Sequence, residues 1–279
     1  MKKLLLIILL VVMIPFSVFA EADFSLIFHA KKNNLEKVKK ALADGADINA
    51  VDEYGFTVLI GVSIRGNLDM VKYLVEHGAD VNLPDSNGYD ALYHASCTGA
   101  VDVMEYLLSK GAIINPLGTV KKTALKGAVE YNQLEAVKFL ISKGSDVNIQ
   151  SGYGSTALHA AAREGQFEII KYLVEHGADI NIDSTNGSTA LMYSSNRGEF
   201  EIAVYLIEHG ADVNAQSIYK DTPLNLAVKK GNLKLVKLLL EQGAVVTVKD
   251  KDGNTPLMIA VKMNNKEITE FLKKWGAVE

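Results

Sequence analysis

Glycine recurs every 33 residues along this chain, at Gly45, Gly78, Gly111, Gly144, Gly177, Gly210, Gly243 and Gly276. Glycine supplies only 22 of 279 residues, so eight in register mark an internal repeat. A second series keeps the same period: Thr57, Asp90, Thr123, Thr156, Thr189, Thr222 and Thr255. Each is followed two residues later by leucine, from Leu59 to Leu257. A third runs Gly66, Gly99, Asn132, Gly165, Gly198, Gly231 and Asn264. One such unit cannot bury its apolar face alone, whereas stacked units bury it together.

The chemistry of a unit predicts its shape. Threonine followed by Ala or Pro starts a helix, because the hydroxyl caps free N–H groups and Pro223 or Pro256 fits a first turn. Small residues such as Ala160, Ala161 and Ala162 let a neighbour approach this short helix closely. Gly or Asn then ends it in a left-handed turn. A second helix follows, with apolar positions Phe167, Ile170, Leu173 and Val174 in one unit. The next glycine ends that helix. An extended pair such as Ile180-Asn181 is expected to lead into a turn around Asn186-Gly187.

The stretches Thr156-Ala157-Leu158-His159-Ala160-Ala161 and Gly177-Ala178-Asp179-Ile180-Asn181 resemble the ankyrin repeat, whose motif reads T-P-L-H-x-A. The resemblance spans about Phe24 to Val278 and implies an all-α solenoid of about eight stacked units, each helix-turn-helix-β-turn. The units divide as 24–51, 52–84, 85–117, 118–150, 151–183, 184–216, 217–249 and 250–279. Unit 118–150 departs most, with Lys121 at the turn glycine and Lys126 at the motif histidine, which only His159 keeps. Lysines at 31, 32, 37, 39 and 40, and again at 266, 273 and 274, give the end units the polar look of caps. On that pattern the array is expected to be complete.

The first twenty residues read differently. Lys2 and Lys3 precede an uncharged run from Leu4 to Ala20 that closes Val18-Phe19-Ala20, the pattern of an export signal cleaved after Ala20. Seventeen uncharged residues fall short of the ~20 needed to span a bilayer, and Pro15 interrupts the run. Ala22 is a second cleavage point, and an uncleaved anchor is the competing reading. The remaining chain is expected to be periplasmic or secreted. It holds one cysteine, Cys97, which leaves no internal disulfide and no Cys-based zinc site. Net charge is -4, and losing Lys2 and Lys3 leaves 27 basic against 33 acidic residues, or -6. Nucleic acid is a poor partner for such a surface. Hydrophobic residues at 48% supply a full core.

In proteins of the resembled family, partners commonly bind the concave side, formed by the β-turn tips and the short first helices. Carried over by position, the tips hold Tyr54, Phe56, Tyr89, Tyr153 and Tyr219. The first-helix ends hold Arg65, Tyr131, Arg163, Glu164, Arg197 and Lys230, while His94 and Tyr193 share one helix register. Neighbouring units would set these about 10 Å apart, as tyrosines flanked by arginines, two residue types rich in binding hot spots. The expected function is a non-enzymatic, monomeric module that binds a partner protein outside the cytoplasm, without cofactor. An exported effector acting on another cell's proteins and a membrane-tethered scaffold are the alternatives.

Two chemical readings are weaker. His77, His176 and His209 share a Glu-His-Gly context, but zinc needs ligands at ~2.0–2.1 Å and neighbouring units start ~8–10 Å apart. Bonds to helix-end carbonyls explain them better. Cys97 with His94 three residues before it suggests a nucleophile pair, but neither an orienting group nor an oxyanion hole accompanies it. The recurrent Asn49, Asn82, Asn115, Asn148, Asn181 and Asn214 are expected to bond backbone between turn and helix pair.

Overall fold

The computed structural model describes residues 21–116 and 123–277. The export-signal segment 1–20, Lys121 and Val278 lie outside the described residues. Two compact units divide the chain near residue 140. The first contains α1 (21–31) with α2 (Leu35–Ala43), α3 (Val58–Ser63) with α4 (Leu68–Glu76), and α5 (Ala91–Thr98) with α6 (Val101–Ser109). It closes on α7 (Ala124–Glu130) and most of α8 (Leu134–Ser142). The second contains α9 (Ala157–Glu164) with α10 (Phe167–Glu175), and α11 (Ala190–Arg197) with α12 (Phe200–Glu208). It ends with α13 (Pro223–Lys230) and α14 (Leu233–Glu241), then α15 (Pro256–Lys262) and α16 (Lys266–Lys274). The fold is thus the all-helical ankyrin-type stack of helix-turn-helix pairs. Among the described residues there is no β-strand, only an isolated bridge between Val51 and Thr57. No described helix is long and apolar enough to cross a membrane.

The three residue series act as expected of their chemistry. Each of the six threonine hydroxyls accepts the N–H three residues on, at 3.1–3.4 Å, and Asp90 does so at 2.8 Å. The leucine two positions later is fully buried in every case, from Leu59 to Leu257, each contributing about 1.5–3 kcal/mol of burial. The eight 33-spaced glycines all hold φ between 87° and 100°. A Cβ at Gly78, Gly177 or Gly243 would meet nothing within 4 Å. The demand there is the left-handed backbone itself, not space.

Two expectations need correction. The second helix buries Ile169, Ile170 and Leu173, leaving Phe167 and Val174 half-buried. The same trio of positions is buried as Met70, Val71 and Leu74, as Val103, Met104 and Leu107, and as Ile202, Ala203 and Leu206. Positions i, i+1 and i+4 lie within one 100° sector of a helix, the sector that faces its partner helix. Phe167 instead meets the Tyr205 ring edge-on at 5.7 Å, with the Lys171 ammonium over its own ring. The Ile180-Asn181 pair is not extended. It sits in a turn closed by Asp179 Oδ1, which accepts the Asn181 N–H at 2.9 Å.

The recurrent asparagines bond backbone, but of the next repeat. In the first unit Asn49 Oδ1 accepts the Asp80 N–H at 2.9 Å, and Asn82 accepts from Ile113 while donating to the Gly111 carbonyl. In the second, Asn148, Asn181 and Asn214 donate to the carbonyls of Gly177, Gly210 and Gly243, at 2.9–3.1 Å. The same three accept from Asp179, Asp212 and Val245. The 33-residue period of asparagine and of glycine is therefore one device: the glycine turn presents the carbonyl that the preceding asparagine caps.

Candidate functional site

The turn tips are rigid because their first side chain ties them. Asp52 Oδ1 accepts the N–H groups of Tyr54 and Phe56, both at 3.0 Å. Asp85 does the same for Asn87 and Tyr89, and Ser217 for Tyr219 and Asp221. Successive tips are also joined within each unit. Ser86 donates to the Tyr54 carbonyl at 3.1 Å. Thr185 donates its N–H and its hydroxyl to the Tyr153 carbonyl, at 3.0 and 2.9 Å. Gly154 permits that approach: a Cβ there would stand 2.7 Å from the Thr185 nitrogen.

In the first unit Phe56, Tyr89 and His94 come together. The His94 ring meets Phe56 edge-on at 5.2 Å and Tyr89 at 6.0 Å, while Tyr89 stacks on Tyr93 at 4.0 Å. Beneath them lies a buried carboxylate, Asp85, whose Oδ2 is 2.9 Å from His94 Nε2. Burial opposes ionisation of Asp85, but the N–H groups of Tyr89 and Asn87 and the His94 ring outweigh it and hold the carboxyl below its ordinary range. Asp90 is shifted the other way, raised by burial. Tyr54 and Tyr131 stand apart, 64% and 62% exposed. Arg65 bends back to the Gly61 carbonyl.

The Cys97–His94 nucleophile pair is not assembled. Nε2 of His94 faces Asp85, and burial pushes the Cys97 thiol up to about 11. Cys97 instead packs helix on helix: a Cβ on Gly127 of α7 would lie 3.1 Å from its Sγ and 2.9 Å from the Tyr93 ring. The three Glu-His-Gly histidines bond helix-end carbonyls. Their Nδ1 atoms lie 2.7–2.8 Å from the carbonyls of Tyr73, Tyr172 and Tyr205, and each imidazole packs on that same tyrosine's ring, centroid to centroid 3.9–4.0 Å. His159 is buried and satisfied twice: Nδ1 accepts the Thr156 N–H and Nε2 donates to the Ser188 carbonyl, both at 3.0 Å.

In the second unit the surface is differently built. Tyr153 is 81% exposed. Tyr193 and Tyr219 line one cleft of about 210 Å³ with Met192 and Leu226 as apolar surface and Asn196 and Asp221 as polar groups. Its cause is legible in register. Positions 56 and 89 are aromatic, whereas the matching 188 and 221 are Ser and Asp, which leave open the volume that Phe56 and Tyr89 occupy in the first unit. Arg163 pairs with Glu164 and Arg197 with Glu199, so both guanidinium groups have acidic neighbours at their own helix ends. Lys229 reaches Asp221 at 2.6 Å and Asp250 at 3.5 Å. Burial works against its charge, but the two carboxylates outweigh it and raise its pKa.

Reading by residue type alone misses Asp85, Tyr93 and Asp221. Comparing the 33-residue columns finds two of them, because from position 56 onward Asp221 is the one acid in its column and Tyr93 stands where His159 and Asn225 stand, whereas Asp85 shares its column with Asp52 and Asp250. The arrangement offers rigid tips, exposed phenol rings and a polar cleft, which suit binding more than bond-making. A family model for ankyrin repeats matches in three copies, over residues 26–117, 125–217 and 215–278. No curated protein matches the chain.

Proposed function

The chain belongs to the ankyrin repeat family, and on that premise we propose that it is a non-catalytic module that binds a partner protein outside the cytoplasm. Ankyrin repeats are protein–protein interaction modules, which makes a protein the expected partner. The observation that carries the reading is Tyr153, a ring 81% exposed on a backbone fixed by Thr185 and Gly154. A rigid aromatic anchor loses little entropy on binding, so more of its buried area appears as affinity. Tyr54 has the same design, with its N–H held by Asp52 and its carbonyl by Ser86. Action outside the cytoplasm rests on the Lys2-Lys3 start and the uncharged run to Ala20.

The test is capture of partners by tagged protein from the exported fraction, with wild type beside Tyr54→Ala and Tyr153→Ala. Among the described residues these two rings make no ring-stacking contact of the kind that binds Tyr89 to Tyr93. A bait beginning at Glu21, with a stoichiometric prey lost about 10-fold or more in Tyr153→Ala, is expected from hot-spot energetics. Undiminished capture by both variants at unchanged circular dichroism would overturn the tip-face reading. An intact Met1 in the membrane fraction would overturn cleavage.

A further inference from the structure

We propose that the cleft between α11 and α13 takes a cationic side chain, arginine foremost, from an extended segment of the partner. This rests on the partner-binding reading and assigns it a chemistry. Three observations in the second unit carry it. First, Asp221 is the only formally charged residue lining the cleft. Its ion-pair neighbour Lys229 is shared with Asp250, so two carboxylates hold one ammonium group. Lys229 lies closer to Asp221 than to Asp250, so an arriving cation takes Asp221 by displacing Lys229 onto Asp250. Second, the walls are phenol rings, and Tyr219 already carries a cation, the Lys251 ammonium 5.1 Å from its centroid. Third, the Tyr193 and Tyr219 hydroxyls and the Asn196 amide make no hydrogen bond within the described residues. They can accept from a guanidinium, whose apolar stem would lie on Met192 and Leu226.

The site is particular to the second unit. In the first, Phe56 and Tyr89 fill the matching positions, and the acid beneath them, Asp85, is buried. The cleft's volume, about 210 Å³, admits one long side chain rather than a folded element.

The probe is the peptide acetyl-Gly-Arg-Gly-amide titrated into the 15N-labelled protein, with Gln and Glu peptides of the same frame as controls. Saturable shifts at the Tyr193, Asn196 and Tyr219 amides are expected with arginine. Binding at least ~10-fold weaker is expected for the uncharged Gln peptide, and for arginine on Asp221→Asn, since a charge-assisted bond is lost in each case. Ser188→Tyr, which restores the aromatic found at Tyr89 in the same register, is expected to close the cleft and abolish the shifts. Equal shifts from the arginine and Gln peptides, tighter binding of the Glu peptide, or indifference to both variants would overturn the proposal. Because the probe needs no partner, its failure leaves the Tyr54 and Tyr153 capture result standing.

Discussion

Asn225 is fully buried, and neither its amide nitrogen nor its oxygen has a hydrogen-bond partner among the described residues. Two repeats earlier the same register holds His159, which bridges the Thr156 N–H and the Ser188 carbonyl. The matching atoms around Asn225 are the Thr222 N–H and the Asn254 carbonyl, and the latter already accepts from Asp250 just as Ser188 accepts from Ser184. Asparagine is too short to span both. Substituting Asn225→His should therefore remove two stranded polar atoms and make two bonds. Leaving a buried polar group unmade costs ~1–3 kcal/mol, and a neutral bond returns ~0.5–1.5 kcal/mol. Overpacking by the larger ring takes back ~1–3 kcal/mol, lessened here because the flanking positions are Met192 and Met258, flexible side chains that re-pack easily. With two atoms relieved at that cost each, less the overpacking, the net expectation is a gain of at least about 2 kcal/mol. Equilibrium urea unfolding, followed with amide exchange in α13 and α14 to localise the gain, is the assay. Asn225→Leu, similar in size and without polar atoms, is the companion and should also stabilise. If both variants unfold at lower urea than wild type, Asn225 is satisfied in solution and the reasoning fails.

Two further outcomes follow from burial. Cys97, with a thiol pushed up to about 11, should react with a disulfide reagent far more slowly in the native protein than in urea at pH 8; equal rates would show the thiol to be open. Asp90 stands where six other units carry threonine, and burial raises its pKa. A raised carboxyl favours the folded state only while protonated, so its contribution is present in acid and lost as pH rises through its folded pKa. Asp90→Thr should stabilise at pH 7 more than at pH 3 in thermal unfolding; a larger gain at pH 3 would reverse the sign.

The 33-residue glycines, the capping threonines and the buried leucines were legible because each answers a local demand: a left-handed backbone, an unpaired helix N–H, an apolar helix face. Positions of exposed tip residues such as Tyr54 and Tyr153 were also legible, since the turn fixes them. Val174 was misplaced because periodicity gives a face but not its centre, which the partner helix selects as Ile169, Ile170 and Leu173.

The site divides along the same line. Sequence alone determined that this chain stacks like units and shows large polar-tipped rings at its turns. Only tertiary structure decided that His94 turns to Asp85 and not to Cys97, that Phe56 and Tyr89 close one surface, and that Ser188 and Asp221 leave another open. The first is settled within one repeat, by a carboxylate nine residues before the histidine, and the others by which side chain reaches across from the adjacent repeat and the volume it fills there. A one-dimensional pattern records the period of such contacts but not their reach.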